Sequence, residues 1–239
     1  MNIALIGYGK MGKAIEQIAV QHGHHIVLKI NSANVDQLDH LDNYTIDVAI
    51  EFTNPSSAKE NVLKCLKKQI PVVCGTTGWK EHVVSVDLAT AQYNTAFLIA
   101  SNFSIGVNLF FELNSYLANL MNNYTDYAIQ IKETHHTAKK DAPSGTAISL
   151  AEQIIEQNEI KQHWHLGATN DDAIIPIEAL REDPAPGTHE ITYNSIIDDI
   201  SIKHTAHNRN GFALGAVLAA EYLQNKKGIF TMKDVLFQK

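Results

Sequence analysis

The chain has 239 residues, with 19 Lys and Arg against 26 Asp and Glu, for a formal net charge of −7. That balance excludes a non-specific nucleic-acid binder, which needs a basic surface to displace counterions from phosphate. It leaves an anionic small molecule open, provided positive charge is concentrated locally. Two basic residues are arginines, Arg181 and Arg209, and seven of the twelve histidines fall between His135 and His207. Lys, His and backbone N–H groups must therefore do most of the anion binding.

Apolar residues make up 45% of the chain, enough for a full core. Two cysteines, Cys65 and Cys74, make no disulfide framework. No run reaches the roughly 18 apolar residues of a membrane span. The first residues enter a strand pattern with no charged leader region, so the expected location is the cytoplasm.

Residues 2–6 form a short apolar run ending at Gly7 and predict a buried strand. Helical spacing follows over 12–20, then strands over 26–30 and 47–52. Residues 56–68 predict an amphipathic helix, with Val62, Leu63 and Leu66 inward and Lys59, Lys64, Lys67 and Lys68 outward. A strand over 71–74, a helix over 81–93 and a strand over 96–100 complete an alternation typical of a parallel sheet with helices on both faces. After Ser104 the pattern changes. Helices are expected over 107–121 and 144–157, and strands over 127–132, 173–180, 189–194 and 200–204, before a closing helix over 212–223. Strands now follow strands, so this sheet is mixed or antiparallel. The expected architecture is α/β: a Rossmann-like, doubly wound parallel sheet over 1–103, then a smaller α+β domain with a mixed sheet over 104–212. Residues 213–239 are free to pack back on the first domain.

Gly7-Tyr8-Gly9-Lys10-Met11-Gly12 matches G-x-G-x-x-G between the first strand and the first helix. Gly7 permits the tight turn, Gly9 lets backbone approach a pyrophosphate, and Gly12 allows close helix–strand packing. The helix N-terminus then offers N–H groups to phosphate. The same six residues could also be a plain strand–turn–helix. The carboxylate that normally follows the second strand to hold the ribose 2′-OH is replaced by Asn31. Asn31 can bond a 2′-OH and does not repel a 2′-phosphate, and Lys29 points to the same side of its strand. NADPH is therefore expected to serve at least as well as NADH, unless Lys29 is only a solvated strand-end lysine. Gly75-Thr76-Thr77-Gly78 and Ala100-Ser101-Asn102-Phe103 follow the fourth and fifth strands, where a doubly wound sheet holds its ligand.

The segment from Glu133 to Ala147, ETHHTAKKDAPSGTA, is the most informative. Ser144 reads as a helix N-cap, with Gly145 and Thr146 in the first turn, where N–H groups receive anions. His135, His136 and Lys139 are close in sequence and can bind a carboxylate or move a proton. Asp141 either orients Lys139 or helps start the helix.

This segment, together with Gly7–Gly12, Gly75–Thr77 and Ala100–Phe103, resembles the dihydrodipicolinate (4-hydroxy-tetrahydrodipicolinate) reductase family. Gly187-Thr-His189-Glu190 and Arg209-Asn-Gly-Phe212-Ala extend the resemblance to the whole chain. The resemblance implies reduction of a cyclic dicarboxylate by NADH or NADPH on the diaminopimelate and lysine pathway, giving tetrahydrodipicolinate and water. It implies His135 as proton donor or acceptor, Lys139 as companion donor, and His136, Gly145 and Thr146 as substrate-binding residues. It places the cofactor at Gly7–Gly12, Asn31, Gly75–Thr77 and Ala100–Phe103. It also implies a homotetramer joined through the C-terminal sheet, with no metal, nucleic acid or membrane partner.

Three other readings are weighed against this. Another two-domain dehydrogenase would not need the His135–Ala147 segment. A non-catalytic dinucleotide sensor would not need both His135 and Lys139. A serine hydrolase on Ser144 lacks a G-x-S-x-G elbow. Lys140 is expected to be a solvated neighbour. His163 and His165 have no acidic or thiol partner nearby in sequence and are expected on the surface. Cys74 is expected to be a buried, inert thiol. Arg209 is a candidate for the cofactor, a carboxylate, or a structural ion pair.

Overall fold

The computed structural model describes residues 1–79, 83–208 and 210–237. They divide into two compact units: Met1–Ile105 with Asn210–Lys239, and Gly106–Arg209.

The first unit begins with β1 (Asn2–Ile6), α1 (Lys10–Gln21) and β2 (His25–Ile30). It continues with β3 (Val48–Glu51), α2 (Pro55–Lys67), β4 (Val72–Cys74), α3 (Val83–Gln92) and β5 (Ala96–Ile99). After the second unit the chain returns with α6 (Asn210–Leu223), β11 (Gly228–Phe230) and α7 (Met232–Leu236). The strands form one parallel sheet in the order β11-β5-β4-β3-β1-β2. Its strands are apolar on both faces because both faces are covered. Ala4, Ile6, Ala49 and Val72 pack with Val62, Cys65 and Leu66 of α2. Their neighbours Ile3, Leu5, Val48 and Val73 pack with Ile15 of α1 and Ala213, Ala216 and Val217 of α6. The C-terminal segment is thus part of this core. It adds two helices and an edge strand, and 228–230 is too short a run to stand out from sequence. Residues 35–43 form 3-10 turns that bury Leu38 and Leu41.

The second unit contains α4 (Ile105–Met121), β6 (Ala128–His135), α5 (Gly145–Gln157), β7 (His163–Leu166), β8 (Ile174–Arg181), β9 (Gly187–Asn194) and β10 (Asp199–Ala206). The sheet order is β10-β9-β6-β8-β7. β10, β9 and β6 pair antiparallel, while β6, β8 and β7 pair parallel, so the sheet is mixed. Helices α4 and α5 cover one face, where Phe110, Leu150 and Ile154 meet Ile131, Ile177 and Ile191. Buried Asn114 ties the helices together, its Nδ2 donating to the Leu150 carbonyl and the Gln153 side chain, both at 3.0 Å. His163 and His165, expected as isolated surface residues, lie exposed on edge strand β7.

Candidate functional site

Gly7, Asn31, Gly75 and Ala100 follow β1, β2, β4 and β5, so all lie at the carboxyl edge of the parallel sheet, where such sheets bind ligands. Gly7 and Tyr8 donate N–H bonds to the Ile30 carbonyl at 2.9 and 2.8 Å, closing the turn on β2. Gly7 has φ +96°, and a Cβ there would sit 2.0 Å from the Phe52 carbonyl oxygen, so only glycine fits. A Cβ on Gly12 would meet the Gly7 oxygen at 2.6 Å, whereas one on Gly9 would touch no protein atom. Gly9 is also the N-cap of α1 and gives no side-chain cap, so the first N–H groups of Lys10 and Met11 face outward for an anion.

Around this turn, Tyr8 donates its hydroxyl to Glu16, and Lys29 Nζ lies 2.5 Å from Glu16 Oε1. Asn31 Oδ1 accepts from the Ala33 N–H at 2.8 Å, which leaves its amide nitrogen for a ribose hydroxyl. Thr76 is buried and internally satisfied. Its hydroxyl donates to Glu51 Oε2 at 2.6 Å and accepts from the Thr53 N–H at 2.8 Å. Its carbonyl accepts from Trp79 Nε1 at 2.7 Å. The Phe103 side chain is likewise core, packed against Phe52 with ring centroids 5.5 Å apart. At Thr76 and Phe103, contact with a ligand is therefore limited to backbone. Thr77 and Ser101 have exposed side chains. Cys74 is buried and donates to Glu51 Oε2 at 3.1 Å, and burial pushes its thiol pKa far up. Both cysteines are free thiols.

The second cluster is built by strand alternation. Ile129, Ile131, Glu133 and His135 occupy successive inward positions of β6, so the buried face changes from apolar to ionisable at the strand's end. On β9, Tyr193, Ile191 and His189 pair with Ile129, Ile131 and Glu133. His189 therefore stands directly opposite Glu133, and its ring meets the His135 ring edge-on at 5.1 Å. Ser144 caps α5, its Oγ accepting from the Ala147 N–H at 3.2 Å, while Glu133 Oε1 accepts from the Ser144 N–H at 3.0 Å. Arg181, next to His135 in the β6–β8 register, donates to Glu133 Oε1 at 3.3 Å and to the Asp141 carbonyl at 2.6 Å. Its Nε reaches the Lys139 carbonyl at 3.3 Å. Arg181 thus pins the 139–141 loop beside the strand. Lys139 Nζ donates to both oxygens of Asp141, at 2.9 and 2.8 Å, which settles Asp141 as its partner. Thr137 donates its hydroxyl to Asp183 at 2.6 Å, tying down the other side of the loop.

Burial dominates the electrostatics here. It pushes His135 down to about 4, against the pull of the Glu133 charge, so the ring is neutral at pH 7. Burial also opposes the Glu133 charge, but His189 and the Ser144 backbone and hydroxyl outweigh it and hold that carboxyl down at about 2. The residues expected to bind substrate adjoin this cluster in the chain: His136 half-buried next to His135, and Gly145 exposed and Thr146 half-buried in the first turn of α5 after Ser144. Glu133, His135 and His189 also present ligand atoms within 4.8 Å of one another, the chemistry of a possible metal set. His22, His24 and Glu221 form a second such group on the first unit. Arg209 lies outside the described residues, as do Glu81 and His82 at the expected start of the third helix.

Glu133, Arg181 and His189 went unassigned in the sequence. The signal was present in the inward alternation Ile129-Ile131-Glu133-His135, which a period-two reading carried past residue 132 exposes.

A parallel sheet with a Gly-rich turn after its first strand, joined to a mixed-sheet unit bearing an acid–base cluster, defines a Rossmann-type dinucleotide-dependent oxidoreductase. Family models narrow this further: "Dihydrodipicolinate reductase, N-terminus" matches residues 1–103, and "Dihydrodipicolinate reductase, C-terminus" matches residues 106–236. The chain belongs to the dihydrodipicolinate reductase family. It is 52% identical to a 4-hydroxy-tetrahydrodipicolinate reductase of Christiangramia forsetii, covering 99% of this chain and 98% of that one. A reductase of the same name from Rickettsia rickettsii is 37% identical, with 98% of each chain covered. Among solved structures, the dipicolinate-bound dihydrodipicolinate reductase of Paenisporosarcina sp. TG-14 shares the fold. Its TM-score is 0.77 at 23% identity, over 97% of each chain. An amine dehydrogenase from Mycobacterium smegmatis has the same general architecture, with TM-score 0.63 at 10% identity over 97% of this chain and 95% of that one.

Proposed function

We propose that this chain reduces 4-hydroxy-tetrahydrodipicolinate to tetrahydrodipicolinate with NADH or NADPH, a step of diaminopimelate and lysine biosynthesis. The observation that carries this reading is the near full-length match to reductases of that name, at 52% identity. The reaction replaces C–OH by C–H. The hydroxyl leaves with one proton as water, and a hydride from the reduced nicotinamide takes its place on carbon.

The cofactor groups are the Gly7–Gly12 turn, Asn31, and the backbone of Gly75–Thr77 and Ala100–Phe103. The acid–base groups are His135 and Lys139. His135 is held neutral, so in the free protein it accepts a proton. The Lys139 ammonium is the proton-bearing group, and the dicarboxylate competes with Asp141 for it. His136, Gly145 and Thr146 receive a substrate carboxylate at the start of α5. The dipicolinate bound by the Paenisporosarcina protein supports a cyclic dicarboxylate as the ligand class.

A homotetramer through the second unit's sheet fits the face of β10, β9, β6 and β8 away from α4 and α5. That face carries polar pairs such as Thr192–Ser201 at 3.0 Å and Lys132–Glu178 at 3.3 Å, and the nearby hairpin exposes Ile196 and Ile197. Light scattering on the purified chain tests it. A cytoplasmic location fits the two free thiols and a structure in which no described helix is long and apolar enough to cross a membrane.

The activity test supplies 4-hydroxy-tetrahydrodipicolinate with NADPH or NADH and follows loss of reduced-nicotinamide absorbance. Turnover dependent on both substrates is expected. A folded chain that binds dinucleotide but oxidises none of it would favour a sensor instead.

A further inference from the structure

Glu133 is fully buried, and its two oxygens face different parts of the second unit. Oε1 holds the Ser144 N–H at 3.0 Å and the Arg181 guanidinium at 3.3 Å. Oε2 lies 3.4 Å from His135 Nδ1 and 3.6 Å from His189 Nε2. Both Oε2 and His135 Nδ1 are buried from solvent and lack a hydrogen bond of good geometry to any other group. A buried carboxylate oxygen facing a buried imidazole nitrogen is satisfied when that nitrogen carries the ring proton. The other tautomer would set two lone pairs against each other. The identity of the protonated nitrogen in a histidine follows from such a contact.

We infer that Glu133 is a positioning residue that fixes His135 as the Nδ1–H tautomer and thereby presents its Nε2 lone pair to the reacting group. Nε2 faces the gap left by Gly187, where a Cβ would come within 3.1 Å of it. The same carboxylate anchors Ser144, the N-cap of α5, so it also sets the spacing between that nitrogen and the turn of Gly145 and Thr146. His189 braces the arrangement from the opposite strand, its Nε2 lying 3.2 Å from Ser144 Oγ. The 3.4 Å separation is long for a hydrogen bond, and such contacts tighten when substrate closes the site. This inference rests on His135 being the proton-transfer residue.

The test is nitrogen NMR on 15N-histidine-labelled protein, with the His135 resonances assigned by their loss in His135→Gln. In the wild type, Nδ1 of His135 is expected to be protonated and Nε2 bare. Glu133→Gln is expected to lose that preference and to lower kcat about 10- to 100-fold, with the dinucleotide Kd unchanged. A wild-type ring protonated at Nε2 overturns the inference, and so does a folded Glu133→Gln protein with unaltered kcat. If Glu133→Gln does not fold, the wild-type spectrum decides alone. Full activity in His135→Gln would instead overturn the reading of His135, a separable result.

Discussion

Lys29 Nζ lies 2.5 Å from Glu16 Oε1 and 5.0 Å from the ring centroid of Tyr8. The cation that the sequence offers to a 2′-phosphate is thus already paired, and the contact holds Glu16 below the usual carboxylate range. A 2′-phosphate must compete with Glu16 to reach it, so any selection between NADPH and NADH involves Glu16 as well as Asn31. An exposed, solvent-screened ion pair of this kind changes affinity by roughly fivefold at most. Glu16→Gln is expected to lower KM for NADPH relative to NADH by up to about that factor. Lys29→Ala should barely move the wild-type ratio. An unchanged ratio in Glu16→Gln removes Lys29 from cofactor selection.

Lys139 is held by both oxygens of Asp141 and, through its carbonyl, by Arg181. Arg181 bonds the loop's carbonyls independently of the ammonium, so removing the ammonium should leave the backbone in place. Lys139→Ala is expected to cost about 10²–10⁴-fold in kcat, with dinucleotide Kd nearly unchanged. Asp141→Asn should cost less, because the ammonium remains. Steady-state kinetics with a fluorescence titration of the dinucleotide checks both. Unaltered kcat in Lys139→Ala would end its proposed role.

The parallel sheet was legible because its strands are short apolar runs punctuated by Gly7, Gly75 and Pro71, and because both sheet faces are covered. β11 was not, since Gly228–Phe230 gains its strand character only from pairing with β5. β7 was hidden for a related reason: His163–Leu166 is a four-residue edge strand whose His-Trp-His-Leu alternation is too short to stand out. In the site, Ser144 as a helix cap and Lys139 beside Asp141 follow from local chemistry. Arg181 and His189 do not, because they reach Glu133 from 48 and 56 positions away through sheet register. Thr76 shows the limit of a motif. Its place in a Gly-rich loop suggests a ligand, but its hydroxyl is committed to Glu51 and Thr53.

The buried acid–base cluster makes folding sensitive to acid. His135 sits at about 4 in the folded protein, below the ordinary histidine value of about 6.5. The unfolded chain therefore binds more protons across that window, and stability falls as pH drops from about 6.5 towards 4. Glu133, at about 2 when folded, adds a second loss as pH falls from the usual carboxylate range towards 2. Stability from both is fully present above about pH 6.5. Thermal melts should show a flat Tm above neutrality and a decline below it. In His135→Gln the decline between about pH 6.5 and 4 should be shallower. Identical slopes in the two proteins would mean that His135 is not buried neutral.

Gly187 begins β9 and faces His135 across the site. A Cβ there would stand 3.1 Å from Nε2 and 3.3 Å from Cδ2 of the ring. His135 is hemmed in by His189 at a ring separation of 5.1 Å and by Glu133 on its other nitrogen, so it has little room to retreat. An added methyl must push the ring off its position or fill the space a substrate atom needs. Small displacements of a proton-transfer group can cost about 10²-fold in rate. Gly187→Ala is therefore expected to lower kcat by roughly 10- to 100-fold and, because Gly187 has φ +157°, to lower the Tm as well, while the dinucleotide Kd changes little. The proposed cofactor groups lie on the first unit. Kinetics and melts on the one variant separate the outcomes. A wild-type kcat in the folded variant would show that the space beside Nε2 is not used.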